Sequence, residues 1–312
     1  MRQPLSAIFS LATLLTAPPV LAEVRAVLVG VSDYLVLDAD LKGPSNDVQL
    51  MAETLALRGV EPAAMTVLTA DPSGLPEGVA VAPPLRDGIL AAMEAVAAAS
   101  APGDTVVFYF SGHGAQAPDM SGDEGGGYDE ILLPADAAGW KGSIGAVENA
   151  ILDDELQAWA QGLLSTGVQV VGLIDACHSA TGFRSVGGAG VARVVEEGAL
   201  GIPQSVVPVA GDPVPPLSGD FVFLYSSQSD QRSFEYPLGD GSWHGEFTLR
   251  LAQALQGADQ ASWAQVLAAA TESMVQGPAR QMPDGEGTLL QAQVFGTGAA
   301  AARFPVAGGK LS

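Results

Sequence analysis

Two uninterrupted apolar runs dominate the hydrophobic pattern of the chain. Val106-Val107-Phe108-Tyr109-Phe110 leads into Ser111-Gly112-His113-Gly114, and Val170-Val171-Gly172-Leu173-Ile174 leads into Asp175-Ala176-Cys177-His178-Ser179. Both have the length and the β-branched and aromatic content of strands buried on both faces, as parallel strands are. Residues 25–31 and 221–227 read the same way, 65–69 as a shorter strand, and 291–295 as a last one. Apolar residues at helical spacing predict helices over 47–58, 85–100, 247–256 and 261–274, with another opening at 149–156 and running to about 164. Ser45 or Asn46 is placed to cap the first of these. Strands alternating with helices predict an α/β sandwich with a mostly parallel sheet.

Each long run ends in a reactive side chain. His113 follows one strand and Cys177, the single cysteine of the chain, follows the other. The carboxyl edge of an open α/β sheet is where ligands and chemistry gather. A thiol and an imidazole on neighbouring strand ends can form a nucleophile and base pair. Asp175 precedes Cys177 by two residues and Ser111 precedes His113 by two, so each pair shares a face if the backbone stays extended. The alternatives are a small buried cysteine, a buried hydrogen-bonded Asp175, and an Asp47 that only favours a helix N-terminus. A zinc enzyme is disfavoured, because three histidines and one cysteine lack metal-site spacing.

Composition sets the surroundings. The 312 residues are 48% hydrophobic and 15% charged, with a formal charge of −22 and only Lys42, Lys141 and Lys310 as lysines. That balance disfavours nucleic acid and anionic membrane, and favours cationic substrates and divalent metal. Residues 1–22 read as a secretory signal: Arg2, an apolar stretch over 5–15, and Val20-Leu21-Ala22 before a cut at Glu23. The expectation is export to the periplasm or beyond, with no membrane span in the mature chain. A lone thiol in an oxidising compartment is a liability that chemistry would explain. From 182 to 219 Gly, Pro, Val and Ala prevail without periodicity, as in a mobile linker.

The ordered motifs resemble a caspase-like cysteine peptidase (peptidase C14) of the bacterial metacaspase or orthocaspase type. The resemblance is carried by Gly43-Pro44-Ser45-Asn46-Asp47, Ser111-Gly112-His113-Gly114, Tyr128-Asp129-Glu130, Ile151-Leu152-Asp153-Asp154-Glu155-Leu156 and Asp175-Ala176-Cys177-His178-Ser179. Ser226-Ser227-Gln228-Ser229-Asp230-Gln231, Glu235 and His244-Gly245-Glu246-Phe247-Thr248 resemble the small-subunit region. It implies a three-layer α/β sandwich on about six strands. The divisions would be a signal at 1–22, a large-subunit catalytic region at 23–185, a linker at 186–219, a small-subunit-like region at 220–305 and a tail at 306–312. It implies a Cys177–His113 dyad, an oxyanion hole from the N–H groups of Gly114 and Cys177, and a basic-side-chain pocket lined by Asp47, Ser111 and Asp175. His178 and His244 are then read as structural.

The implied activity is cleavage of proteins after Arg or Lys by a monomer. Arg184 and Arg193 in the linker are candidate self-processing sites, with an uncut loop as the alternative. Asp153 and Asp154 match a pair that binds calcium as an activator in some members, with Asp129 or Asp123 adding oxygens. The alternative is ordinary first-turn acidity of a helix. Where that pattern has another aspartate, seven residues after the cysteine, this chain has Arg184. The competing functional readings are a non-catalytic caspase-like binding module and a legumain- or clostripain-like cysteine hydrolase.

Overall fold

A computed structural model describes residues 22–122, 127–177, 190–209, 211, 214–228, 231–275 and 281–296. The signal segment up to residue 21, Asp123, His178, Arg184 and the tail lie outside these. Along the chain come β1 (Val24–Gly30), α1 (Pro44–Leu57), β2 (Met65–Leu68), β3 (Ala80–Ala82), α2 (Arg86–Ala99) and β4 (Thr105–Ser111). The middle holds β5 (Gly114–Pro118), β6 (Tyr128–Leu132), β7 (Trp140–Lys141), β8 (Ala146–Val147), β9 (Ile151–Leu152), α3 (Asp153–Ser165) and β10 (Gln169–Asp175). The last part holds β11 (Val191–Ala192), β12 (Phe221–Tyr225), β13 (Phe234–Pro237), β14 (Trp243–Gly245), α4 (Glu246–Gln256), α5 (Trp263–Val275) and β15 (Asp284–Glu286).

Seven strands form the central sheet in the order β15-β12-β10-β4-β1-β2-β3. All pair in parallel except β15, which runs antiparallel along β12. The sheet therefore has one strand more than the six expected. The central strand β4 is buried along its whole length. Its alternate residues divide between two cores. Val106, Phe108 and Phe110 pack with α2 and α3 through Ile89, Met93, Leu156 and Leu163. Val107 and Tyr109 pack on the other face with Val48, Met51 and Leu55 of α1 and Phe247 and Leu251 of α4. This two-sided burial explains why the strand is a continuous apolar run rather than an alternating one.

Several boundaries differ from the sequence reading. Helix α1 begins at Pro44 with Gly43 as its N-cap and no side-chain cap. Ser45, expected to cap it, instead pairs with Ser32 through its hydroxyl and its N–H, both at 3.0 Å. Proline at the first turn supplies the preset φ and needs no N–H partner there. Within 149–156, Ile151–Leu152 form a short strand and α3 starts only at Asp153. There the Glu155 carboxylate accepts the Leu152 N–H at 3.1 Å, closing the helix start. Residues 291–295 are not a strand of the central sheet; β15 takes the edge of β12.

The 186–219 stretch was read as a linker without regular structure. Its described residues carry only β11, yet they are tied down. Val209 N–H donates to the Asp119 carbonyl at 2.8 Å, Gln157 Nε2 to the Pro215 carbonyl at 2.8 Å, and Ser218 N–H to Gln161 Oε1 at 2.9 Å.

Candidate active site

The parallel register sets Ser111, at the end of β4, directly against Asp175, at the end of β10. His113 and Cys177 therefore lie two residues beyond adjacent strand ends. Both are buried. His113 Nε2 sits 2.8 Å from the Ala39 carbonyl. A carbonyl can only accept, so Nε2 carries the proton and Nδ1 is left as the basic nitrogen. Nδ1 is buried and has no hydrogen-bond partner among the described residues. The ring is also set by its backbone, whose N–H donates to Tyr34 Oη at 2.8 Å. Burial brings the His113 pKa down to about 4 and pushes the Cys177 thiol up to about 12. The Arg193 backbone lies within hydrogen-bonding influence of both, partly countering each shift. Nucleophile and base are thus both neutral in this state.

The two N–H groups expected to hold an oxyanion converge on one atom. Gly114 N–H and Cys177 N–H each donate to the carbonyl oxygen of Arg193 at 3.2 Å. The chain on either side of that carbonyl is also bound as strand. Upstream, β11 pairs antiparallel with β13, and Arg193 N–H donates to the Ser233 carbonyl at 3.0 Å. Downstream, Val194 bridges Gly114 in parallel, and Val195 N–H donates to the Gly114 carbonyl at 3.1 Å.

The Arg193 side chain, wholly buried, fills an acidic pocket. Its two terminal nitrogens divide the partners. Nη1 donates to Ser111 Oγ at 2.8 Å and lies 3.1 Å from Asp175 Oδ2. Nη2 lies 2.6 Å from Asp47 Oδ2 and 3.5 Å from Glu235 Oε2. A planar fork facing several carboxylates suits arginine better than lysine. Burial alone would raise the Asp47 carboxyl, but the Arg193 guanidinium and the His244 imidazole offset this and hold it below the usual range. Asp175 goes the other way: burial and the neighbouring Asp47 charge raise it, against Arg193 and Thr248. The Arg193 guanidinium, squeezed by burial but faced by Asp175, Asp47 and Glu235, is held firmly protonated.

The family assignment rests on sequence comparison. A family model described as metacaspase, peptidase C14 domain, matches residues 24–185, just over half of the chain. The chain belongs to the metacaspase family. Metacaspase-2 of Arabidopsis thaliana is 37% identical over 164 residues, covering 53% of this chain and 36% of that protein. Metacaspase-1A of Aspergillus oryzae is 27% identical over 310 residues, covering 88% of this chain and 71% of the relative. The chain thus spans about a third of the length of the Arabidopsis relative. Caspase-1 of Spodoptera frugiperda has a similar fold, with a TM-score of 0.52 at 13% identity over 91% of this chain and 96% of that one. A protein of Geobacter sulfurreducens superposes with a TM-score of 0.59 at 20% identity, over 88% and 98% of the two chains.

In this metacaspase the residues proposed from sequence for the dyad, the oxyanion hole and the pocket fall in one place. The pocket also uses groups that sequence reasoning missed. Glu235, on β13, accepts the N–H groups of Lys42 at 3.0 Å and Gly43 at 2.9 Å as well as facing Arg193. His244 Nδ1 lies 3.0 Å from Asp47 Oδ1, so this histidine faces the site rather than only the surface. Thr248 donates to Asp175 Oδ2 from its N–H at 3.1 Å and its hydroxyl at 2.6 Å. A Cβ at residue 245 would stand 2.2 Å from Asp175 Oδ2 and 2.6 Å from Arg193 Nη1, so glycine is what lets β14 close over the pocket. The small-subunit-like motifs that carried the resemblance held all four residues, but nothing in their spacing aimed them at Asp47 or Asp175.

The acidic residues matched to a calcium site are arranged differently. Asp129 is buried on β6, while Asp153 and Asp154 are half-buried at the start of α3. Among the described residues no three His, Cys, Asp or Glu side chains converge to hold a metal. Asp153 Oδ1 accepts the Asp154 N–H at 3.1 Å, and Glu155 pairs with Arg86. These are the roles of a helix start. Asp123, which the resemblance adds to this set, lies outside the described residues.

Gly114 offers a direct check on the oxyanion geometry. A Cβ there would fall 2.0 Å from the Cys177 carbonyl oxygen. In Gly114→Ala the two strands must part and the N–H pair loses its focus. Loss of one oxyanion donor removes about 10²–10³ in kcat. The expected result is that loss on an arginyl peptide, with thermal unfolding followed in parallel as the folding control. Unchanged kcat would show that this N–H is not used.

Proposed function

We propose that the protein is a cysteine endopeptidase that cleaves after arginine or lysine, and that it is held ready to cut itself between Arg193 and Val194. The observation that carries this is the seat of Arg193. Its carbonyl oxygen accepts both candidate oxyanion donors while its guanidinium fills the carboxylate pocket. A substrate bound for hydrolysis would be held the same way.

In the reaction, the Cys177 thiol gives its proton to His113 Nδ1 as Sγ attacks the carbonyl carbon of the arginine. The Ala39 carbonyl keeps the ring oriented and stabilises the imidazolium that forms. Negative charge grows on the oxygen held by Gly114 and Cys177. His113 then protonates the departing amine, and water, deprotonated by the same imidazole, releases the acyl group from sulfur. Of the two linker arginines, Arg193 has this support; Arg184 lies outside the described residues.

The same seat favours this reading over its rivals. A binding module has no use for two N–H donors converging on a peptide carbonyl beside a buried thiol and imidazole. A pocket with three carboxylates selects against aspartate, and a guanidinium fills it where asparagine would leave charges unpaired. We extend the proposal to a monomer, because β15 covers the outer edge of β12, and to an exported protein, because of the pattern over 1–22.

The test is hydrolysis of a fluorogenic peptide ending in Arg by the mature protein, with and without calcium, beside Cys177→Ala. Turnover after Arg and Lys that vanishes in the variant is expected, at least 10³-fold, together with two fragments meeting at Arg193–Val194 in the wild type alone. Turnover of Asn or Asp peptides in place of Arg would overturn the specificity. Equal rates with and without calcium are expected from the chemistry above.

A further inference from the structure

Resting on the reading of Arg193–Val194 as the bond cut, we propose that the segment beginning at Val194 stays seated after cleavage and that its new α-amine serves as an acyl acceptor, making the processed protein an aminoacyl-transfer enzyme as well as a hydrolase.

The two sides of the bond are anchored in different ways. Upstream, Val191 is exposed and Ala192 half-buried, and among the described residues from 190 to 193 the one deep anchor is the Arg193 side chain itself. Any substrate arginine brings the same group and competes for the same pocket. Downstream, the anchors belong to the core. Val195 is 6% exposed and Leu200 1% exposed, both in the apolar cluster under β4, β5 and β6. Leu200 accepts the Trp140 N–H at 2.7 Å, and its own N–H donates to the Glu196 carbonyl at 3.2 Å, closing a turn. Glu196 pairs with Arg232. A substrate brings nothing that displaces this packing. Cutting the bond frees Arg193 to exchange but leaves the Val195 N–H on the Gly114 carbonyl at 3.1 Å, one residue from the catalytic histidine in the chain.

A held amine beside a thioester has consequences. A well-oriented intramolecular nucleophile reaches effective molarities of about 10⁵–10⁸ M, against about 55 M for water. An α-amine has a pKa of about 7.7–8.0, so much of it is neutral at mildly basic pH. The step is the reverse of self-cleavage with a new acyl group. The Val194 nitrogen attacks the thioester carbon on Cys177, a C–N bond forms, the C–S bond breaks, and the proton lost by the amine returns through His113 to sulfur.

The experiment takes full-length protein that has processed itself and adds an acyl-arginine p-nitroanilide at pH 8. Released p-nitroaniline reports acylation, and intact-mass analysis reports the fragment starting at Val194. The expected result is release accompanied by a mass gain on that fragment equal to the acyl-arginyl group, absent from Cys177→Ala protein. In Val195→Ser, which loosens the seat, the transferred share should fall at least fivefold while p-nitroaniline release continues. Release with no mass gain would overturn the transfer while leaving the peptidase reading intact. No release at all would overturn both.

Discussion

Arg193→Ala is expected to destabilise the protein and to expose its thiol in the same stroke. Three carboxylates, from Asp47, Asp175 and Glu235, surround the guanidinium with essentially no exposure. Removing one partner of a buried ion pair costs about 3–5 kcal/mol. Asp47 is held below its ordinary range in the native state. Its contribution is therefore present above the unfolded carboxylate range and lost as pH falls through the native one. Denaturant unfolding at pH 7 should show the full gap between wild type and variant, and the gap should narrow as pH falls below the ordinary carboxylate range. A gap that does not change with pH would mean that lost packing, not lost charge, sets the cost.

The same substitution acts on Cys177. Burial holds the thiol near 12, with Sγ also taking the Ser233 N–H at 2.7 Å, leaving almost no thiolate at pH 7.5. With the anchor gone the segment lifts and water reaches the sulfur. A thiol returned to about 8.5 should alkylate roughly 10² times faster, after allowing for the lower nucleophilicity of a less basic thiolate. Iodoacetamide labelling followed by mass spectrometry measures this directly. Cleavage at 193–194 should disappear, while Arg193→Lys, which keeps a cation in the pocket, should retain slow self-cleavage. Equal labelling of wild type and Arg193→Ala would show that the segment does not shield the nucleophile.

How much of this site was legible in the sequence follows from where each residue sits in the chain. Ser111 and Asp175 end two long buried strands with His113 and Cys177 two residues beyond, and a five-residue apolar run is a strong local signal. Parallel pairing then fixes Ser111 against Asp175 without further information. Asp47 is marked by the motif around α1, although Pro44, not Asp47, begins the helix, so neither Ser45 nor Asn46 caps it. Glu235 and His244 come from short elements, and Thr248 from the first turn of α4. Strands β13 and β14 have four and three residues, too few to show a period. Their roles arise only when the last third of the chain folds back over α1, with Asn46 Nδ2 donating to the Trp243 carbonyl at 2.9 Å. Arg193 was chosen as a cleavage site for its position in a Gly- and Pro-rich stretch. The composition that marks a linker does not reveal that Val195 and Leu200 are core residues.

The two pocket aspartates should not be equivalent. Arg193 and His244 keep Asp47 ionised, whereas burial and the Asp47 charge push Asp175 toward its neutral form, in which Thr248 still hydrogen-bonds to it. In Asp47→Asn the pocket loses its principal charge. Truncating one side of a buried charged pair removes about 2–5 kcal/mol of binding, or about 30- to 5,000-fold in kcat/KM for an arginyl peptide. In Asp175→Asn an amide oxygen still accepts from Thr248, and the loss should be nearer tenfold. Because the guanidinium is held alike before and during reaction, the effect should fall mainly on KM. The pH profiles carry the same asymmetry. Wild-type affinity for arginine should fall as pH drops through the Asp47 range, since protonation removes the charge. That limb should flatten in Asp47→Asn and persist in Asp175→Asn. The reverse order, with Asp175→Asn the more damaging and the flatter, would place the ionised carboxylate on β10 instead of at the start of α1.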